Sequence, residues 1–218
     1  MSDIIDIMKE RHSVRQYLET PIEKEKREAL SKAVGEINEE SGLNIQIIYD
    51  EPKCFDSFMA HYGNFSGVSN YIAVVGKKSK DLDVTAGYYG EKLVLEAQKL
   101  GLSTCWVALT HGKSKAEVKK GEKQVCIISL GYGKTAGIPH KNRPLEDLCN
   151  CADNMPENFA AGMSAALLAP TAMNQQKFFF ELRYDGSVKA TAGKGFYTAL
   201  DLGIVRYHFD TASGIRSR

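Results

Sequence analysis

The chain has 218 residues, 43% hydrophobic and 25% charged, which is enough apolar material in a globular protein for one domain with a substantial core or for two small ones. Lys and Arg number 28 against 27 Asp and Glu, so the basic surplus of a general nucleic-acid binder is missing and no nucleic-acid partner is expected. No apolar run approaches the ~20 residues that cross a bilayer, and the opening MSDIIDIMKE has early acids and no apolar core after a basic start, so neither a membrane partner nor a signal peptide is expected.

Residues 3–10 read as a short helix, with Ile4 and Met8 four apart. Arg11-His12-Ser13-Val14-Arg15 follows. On an extended connector successive side chains alternate, so Arg11, Ser13 and Arg15 share one side. A guanidinium donates two parallel hydrogen bonds to a phosphate or carboxylate, which makes this stretch a candidate anion cradle. Taken alone, it also fits a solvated basic turn.

Thr20-Pro21-Ile22-Glu23 reads as a helix start, with Thr20 as N-cap and Glu23 closing a capping box. Ile22, Leu30, Ala33 and Ile37 carry the helical period to Gly42. Residues 44–49 read as a strand, Phe55 to Tyr62 as an amphipathic helix, 63–69 as a polar loop and Tyr71 to Val75 as a buried strand. A longer helix covers about 83–100, and its small residues 86, 87 and 90 permit close packing on another helix. Ser103 to Leu109 is a loop or short strand holding the one Trp, and Gln124 to Leu130 is a buried strand.

Gly131-Tyr132-Gly133-Lys134-Thr135 resembles a phosphate loop only in part, because the position that needs the first Gly of that motif holds Ile128 and no helix is expected after it. In His140-Lys141-Asn142-Arg143-Pro144 the two cations offer a second anion contact, or simply an exposed basic loop. The 5 cysteines are scattered, and Cys149 and Cys151 lack a second Cys/His pair at ligand spacing, so reduced thiols in a cytoplasmic protein are expected and zinc is not. A helix from Pro156 to Ala169, the polar loop 171–176, the hairpin Phe178–Leu182 and Val188–Ala192 around Asp185-Gly186, and a last helix at about 197–213 complete the chain. Residues 21–50 and 156–185 share an order of Pro, helix, loop, strand and Asp, and each is followed by a strand and a helix with an early glycine (Gly87, Gly203), which suggests a degenerate duplication.

Four stretches together resemble the FMN-dependent nitroreductase family. RHSVRQY is similar to its R-x-S-x-R start, LAPTAMNQQKFFFEL to its A-P-S-x-x-N-x-Q segment and strand, GEKLVLEAQKLGLSTCWV to its central helix, and IISLGYG with HKNRPLEDL to its closing strand and tail. The resemblance implies an α+β nitroreductase-like fold, a central and mostly antiparallel sheet flanked by helices, forming one domain over 1–218 with pseudo-repeat halves of about 1–150 and 151–218. Family members are usually homodimers with the flavin at the interface. Here the A-P-S-like segment comes after residue 168 instead of after the second helix, so residues 156–218 are expected to stand in for a partner subunit, giving either a monomeric pseudo-dimer or a homodimer. Lys177-Phe178 replaces the family's Pro-Trp.

By this carry-over Arg11, Ser13, Lys141 and Arg143 bind the FMN phosphate and ribityl chain, with His12 at the phosphate or ribityl region. Arg15 lies at the pyrimidine edge of the flavin, and Pro170, Thr171, Ala172 and Asn174 line the ring. The backbone of Trp106, Val107 and Ala108 contacts the ring as well, unless Trp106 is core packing, and the Gln176 amide either joins the site or satisfies backbone at the strand end. No protein acid or nucleophile is needed, so His61, His111 and His208 are expected to be structural or exposed. The implied activity is FMN-dependent transfer of electrons from NADH or NADPH to nitroaromatics, quinones or similar acceptors in ping-pong order. The alternatives are a specialised flavin enzyme on the same fold and a flavin-binding module without turnover.

Overall fold

The structure, a computed structural model, describes residues 3–218 and has an α+β architecture. It divides into two compact units. A sheet unit comprises Glu10–Leu82 and Leu93–Ile138, and a hairpin unit comprises residues up to Lys9, Asp83–Lys92 and Pro139–Arg218. Among the described residues no helix is long and apolar enough to cross a membrane.

The sheet unit is built on β1 (Gln46–Ile48), β2 (Asn70–Lys77), β3 (Ser103–Val107) and β4 (Glu122–Gly131), in the order β1-β2-β4-β3 with every neighbour antiparallel. The apolar run Tyr71–Val75 is fully buried in β2, as a strand covered on both faces requires. It pairs with β4 in the register Ile72↔Ile128, with a bulge between Val74 and Val75. Helix α1 (Ile4–Glu10) precedes the sheet, and α2 (Lys24–Ser41) buries Leu30 and Ile37. Gly42 ends α2 in the left-handed conformation at φ 69°, where its N–H reaches the Asn38 carbonyl. The Asn38 amide then pins the turn into β1 by bonding both the N–H and the carbonyl of Ile45 at 2.8 and 2.9 Å.

Two local expectations need correction. Thr20 does not cap α2. The helix starts at Lys24 with Glu23 at the N-cap, and no side chain caps it. The Glu23 carboxylate instead takes the hydroxyl proton of Tyr132, with Lys26 3.7 Å away. The helix expected from Phe55 is only the short α3 (Phe58–Tyr62), preceded by a 3-10 turn at Pro52–Cys54, because Ser57 caps it through Ala60 N–H at 3.2 Å. After Gly133 the chain runs without helix to Pro144, unlike a phosphate loop.

Residues 11–18 are sewn into this unit as an added strand. Val14 N–H donates to the Thr104 carbonyl at 3.0 Å, Tyr17 N–H to Ser66 at 2.9 Å and Leu18 N–H to Tyr132 at 2.8 Å. Tyr17 is 1% exposed, and its hydroxyl donates to the Val14 carbonyl at 2.7 Å. Its single proton is thereby used, so the buried Ser129 hydroxyl donates to the phenol oxygen at 2.8 Å.

In the hairpin unit, α5 (Glu157–Ala166) packs on α6 (Thr198–Ser213), and β5 (Phe178–Leu182) pairs with β6 (Val188–Ala192). Phe209 is fully buried between Phe180, stacked at 4.4 Å, and the edge of Phe159 at 5.4 Å. Helix α4 (Leu82–Lys99) contributes its first turns here and crosses α6 at a glycine pair. A Cβ on Gly203 would lie 2.0 Å from the Val84 carbonyl oxygen, and one on Gly87 would lie 2.1 Å from that of Leu200. Backbone meets backbone there, so only hydrogen fits. Beside the crossing, His208 and Glu91 are both fully buried. His208 Nδ1 must donate to the Ala165 carbonyl at 3.0 Å, which leaves Nε2 and the Glu91 carboxyl sharing one proton across 2.9 Å.

Gly203→Ala is expected to destabilise the protein by at least ~1–3 kcal/mol, the overpacking range, or to abolish folding. Tyr17→Phe, which takes the phenol bond from the Val14 carbonyl and leaves Ser129 only its longer bond to the Cys105 carbonyl at 3.4 Å, should cost about 1–3 kcal/mol. For both, the urea midpoint should fall at an unchanged m-value.

Candidate functional site

In the sheet unit, the extended backbone of residues 11–15 puts Val14 in the core and turns Arg11, Ser13 and Arg15 the other way. All three bear on the buried thiol of Cys105 on β3, Ser13 by a hydrogen bond and the two guanidiniums through their charge. Burial raises the pKa of that thiol, while the Arg15 charge, a hydrogen bond from the Ser13 hydroxyl and the Arg11 charge oppose the rise. Arg11 is 2% exposed, Ser13 half-buried and Arg15 exposed, so the positive charge runs from the interior to the surface. Ser13 bridges to Thr104 in parallel, which sets the cradle alongside β3 and brings it together with Trp106, Val107 and Ala108 at the end of that strand. Trp106 is half-buried opposite Ile128, Val107 is buried and Ala108 is half-buried. Gly137 closes over His12. At φ 77° it accepts the left-handed backbone, and a Cβ there would lie 2.7 Å from the His12 Cβ.

The hairpin unit gathers the second group. Here the loop from Thr171 to Gln176 has an unusual backbone, with Met173, Asn174 and Gln176 all left-handed at φ 53°, 52° and 44°. Asparagine tolerates that region, whereas the other two residues hold it at an energetic cost. Side chains secure the shape. Gln176, 2% exposed, accepts from Arg143 N–H at 3.0 Å and donates to the Lys141 carbonyl and to Asn174 Oδ1 at 2.7 and 2.8 Å. Asn174 donates to the same Lys141 carbonyl at 2.8 Å, and Gln176 N–H bonds the Thr171 hydroxyl at 3.1 Å. Lys141, Arg143 and Pro170–Gln176 thus form one cluster, in which both ends of the Gln176 amide are engaged, chiefly with Arg143 and Lys141 outside the loop. The Lys141 and Arg143 side chains are exposed, and Arg143 pairs with Asp147 at 2.9 Å.

Sequence reasoning overlooked the residue that anchors this loop. Asp201 on α6 is 3% exposed; its Oδ1 accepts from Ala172 N–H at 2.8 Å and its Oδ2 from the Gln175 amide at 2.7 Å. Burial pushes its pKa up to about 6, against the opposing pull of those two bonds, and no charged neighbour contributes. The available signal was an acid one turn before Val205 on a helix whose other residues there are apolar. Cys105 was also overlooked, because nothing local marks a cysteine in a strand as the meeting point of a distant segment. Among the described residues, no three His, Cys, Asp or Glu groups are placed to hold a metal ion.

Asp201 binds its proton more tightly in the folded chain, near pH 6, than at its ordinary value of 3.8, so folding takes up a proton between those values. The stability it contributes is greatest below about pH 4 and is lost as the pH rises through 6. At about 1.4 kcal/mol per pKa unit the ionised carboxylate costs on the order of 3 kcal/mol. The stability of wild type relative to Asp201→Asn, from urea midpoints, should therefore fall by ~2–3 kcal/mol between about pH 4 and pH 7.5.

A family model described as "Putative TM nitroreductase" matches residues 3–213. No curated protein matches the chain. Among solved structures, a "putative nitroreductase" from Thermotoga maritima aligns at TM-score 0.71 and 24% identity, over 97% of this chain and 83% of that one. A "putative nitroreductase" in complex with FMN from Desulfovibrio desulfuricans aligns at TM-score 0.54 and 19% identity, over 72% of this chain and 99% of that one. An FMN-dependent nitroreductase from Clostridium difficile aligns at TM-score 0.50 and 22% identity, over 71% and 99%. At these identities the structural likeness is one of fold.

Proposed function

The chain belongs to the nitroreductase family, whose model spans residues 3–213, and from that premise we propose that it is an FMN-dependent oxidoreductase using NADH or NADPH to reduce nitroaromatics, quinones or related acceptors. The observation that carries this reading is the extended segment that bears Arg11, Ser13 and Arg15 on one side and is held alongside β3 by the Ser13–Thr104 bridge and the Val14 N–H bond to Thr104. Two guanidiniums and a hydroxyl on one side of a short segment are the donor set that a phosphate monoester, with close to two negative charges, calls for. The residues present therefore fit the cofactor's phosphate end.

In the sheet unit, Arg11 and Ser13 hold the phosphate, and His12, packed under Gly137, lines the ribityl region. Arg15, exposed to incoming ligand, supplies a cation that favours negative charge on the flavin's pyrimidine edge. The backbone after Cys105, through Trp106, Val107 and Ala108, borders the ring. In the hairpin unit the Gln176 amide ties Lys141, Arg143 and the loop that carries Thr171, Ala172 and Asn174, next to Pro170, into one cluster, the second group of residues that the family resemblance gives to the cofactor. When bound, FMN supplies hydride acceptance and donation, so two substrates react in turn with no protein nucleophile or acid. Fully buried His208 accordingly takes a structural part.

Purified protein reconstituted with FMN is expected to be yellow and to bleach on adding NADH or NADPH under anaerobic conditions. Failure to take up FMN would refute the reading, and bound FMN that neither nicotinamide reduces would reduce it to flavin binding without turnover. Arg11→Ala should weaken FMN binding more than ~tenfold, because one charge-assisted bond of ~1.5–3 kcal/mol exceeds the 1.4 that a factor of ten requires. Arg11→Lys, which keeps the charge and loses the fork, should fall between the two.

A further inference from the structure

We propose that Asp201 is a positioning residue for cofactor binding: its carboxylate holds the Thr171–Gln176 loop in its left-handed conformation, so that the loop is preshaped for FMN. This rests on the FMN reading above. Three non-glycine residues in the left-handed region within four positions are a costly arrangement. The loop's own bonds, Asn174 N–H to Thr171 and Gln175 N–H to Ala172, both at 3.0 Å, close its turns, and Asn174 and Gln176 tie its second half to Lys141 and Arg143. Asp201 ties it to α6. One carboxylate oxygen takes the N–H of Ala172 at the loop's start, and the other takes the side chain of Gln175 near its end. Gln175 also donates to the Phe196 carbonyl at 2.9 Å, so its amide cannot turn round without losing that bond.

Stability alone does not account for this acid. A buried carboxylate ordinarily faces a cation, because removing a charge from water is expensive unless it is paired. The ionisable side chains on neighbouring segments are Tyr197 at the start of α6, Lys141 and Arg143 bonded to the loop, Lys177 after it, Lys194 before α6, and Asp83 and Tyr88 on the turns of α4 that cross α6. None of them contributes to the state of Asp201, which burial governs and two neutral donors oppose. The charge and the strained backbone each cost stability, and both lie where the family motif puts cofactor contacts. Concentrated local cost of this kind marks a site shaped for binding. Because the group titrates near pH 6, the clamp is at full strength above neutrality and weakens in acid.

The test compares wild type, Asp201→Asn and Asp201→Ala. FMN affinity is titrated by flavin fluorescence from about pH 5 to 8, and exchange of the Ala172 amide is followed in the flavin-free protein. The FMN phosphate itself titrates near pH 6, so the informative quantity is the ratio of wild-type to Asp201→Asn affinity at each pH. That ratio should be about tenfold at pH 7.5, the worth of one charge-assisted bond, and should approach one near pH 5. Asp201→Ala should expose the Ala172 amide to faster exchange; if that variant does not fold, the affinity ratio decides. A ratio independent of pH, or equal affinities at pH 7.5, would overturn the proposal. Wild type that binds no FMN would refute the flavin reading instead, and unchanged Ala172 exchange in Asp201→Ala would then dispose of the clamp as well.

Discussion

The backbone of residues 11–18 is the constraint on which the candidate chemistry depends. Its N–H groups at Val14, Tyr17 and Leu18 donate to Thr104, Ser66 and Tyr132, so a segment without regular structure of its own is held as rigidly as a strand. Extended backbone alternates its side chains, and the core needs Val14. Arg11, Ser13 and Arg15 therefore have to face the other way. The hydrophobic demand on one face sets the direction of the cations on the other. Tyr17 locks the arrangement, because its hydroxyl is satisfied only while both the Val14 carbonyl and Ser129 remain in place.

Buried polar groups are handled in two ways. Tyr17 with Ser129, and His208 with Glu91 and Ala165, are closed networks in which the donors and acceptors match. Such groups specify a unique packing at little net cost. Asp201 differs in kind. Its acceptors are used, but its charge is not compensated, and burial dominates its protonation. The first kind belongs to the architecture, whereas the second is concentrated at the loop that carries the candidate contacts.

Much of the frame could be read along the chain. The β2 and β4 cores are unbroken apolar runs, Gly42 ends α2, and the small residues around Gly87 marked a close helix crossing that Gly203 completes. The R-x-S-x-R stretch and the amide-rich loop after Pro170 were visible as polar motifs between periodic elements. The helix start at Thr20 was misread because the partner of Glu23 is Tyr132, 109 positions away, and it outcompetes the local capping pattern. Asp201 escaped notice for a related reason. Its meaning lies in Ala172 and Gln175, 29 and 26 positions earlier, which only the packed hairpin unit brings beside α6.

The sequence by itself determined which segments form helices and strands, which residue types were available to hold an anion, and which family pattern they fit, because periodicity, turn chemistry and charge act over a few neighbouring residues. Tertiary structure alone decided that the opening segment lies alongside β3, that the Gln176 amide ties its loop to Lys141 and Arg143, and that a buried acid on α6 bonds both ends of that loop. Hydrogen bonding and desolvation depend on neighbours in space, and no period or spacing along the chain records them.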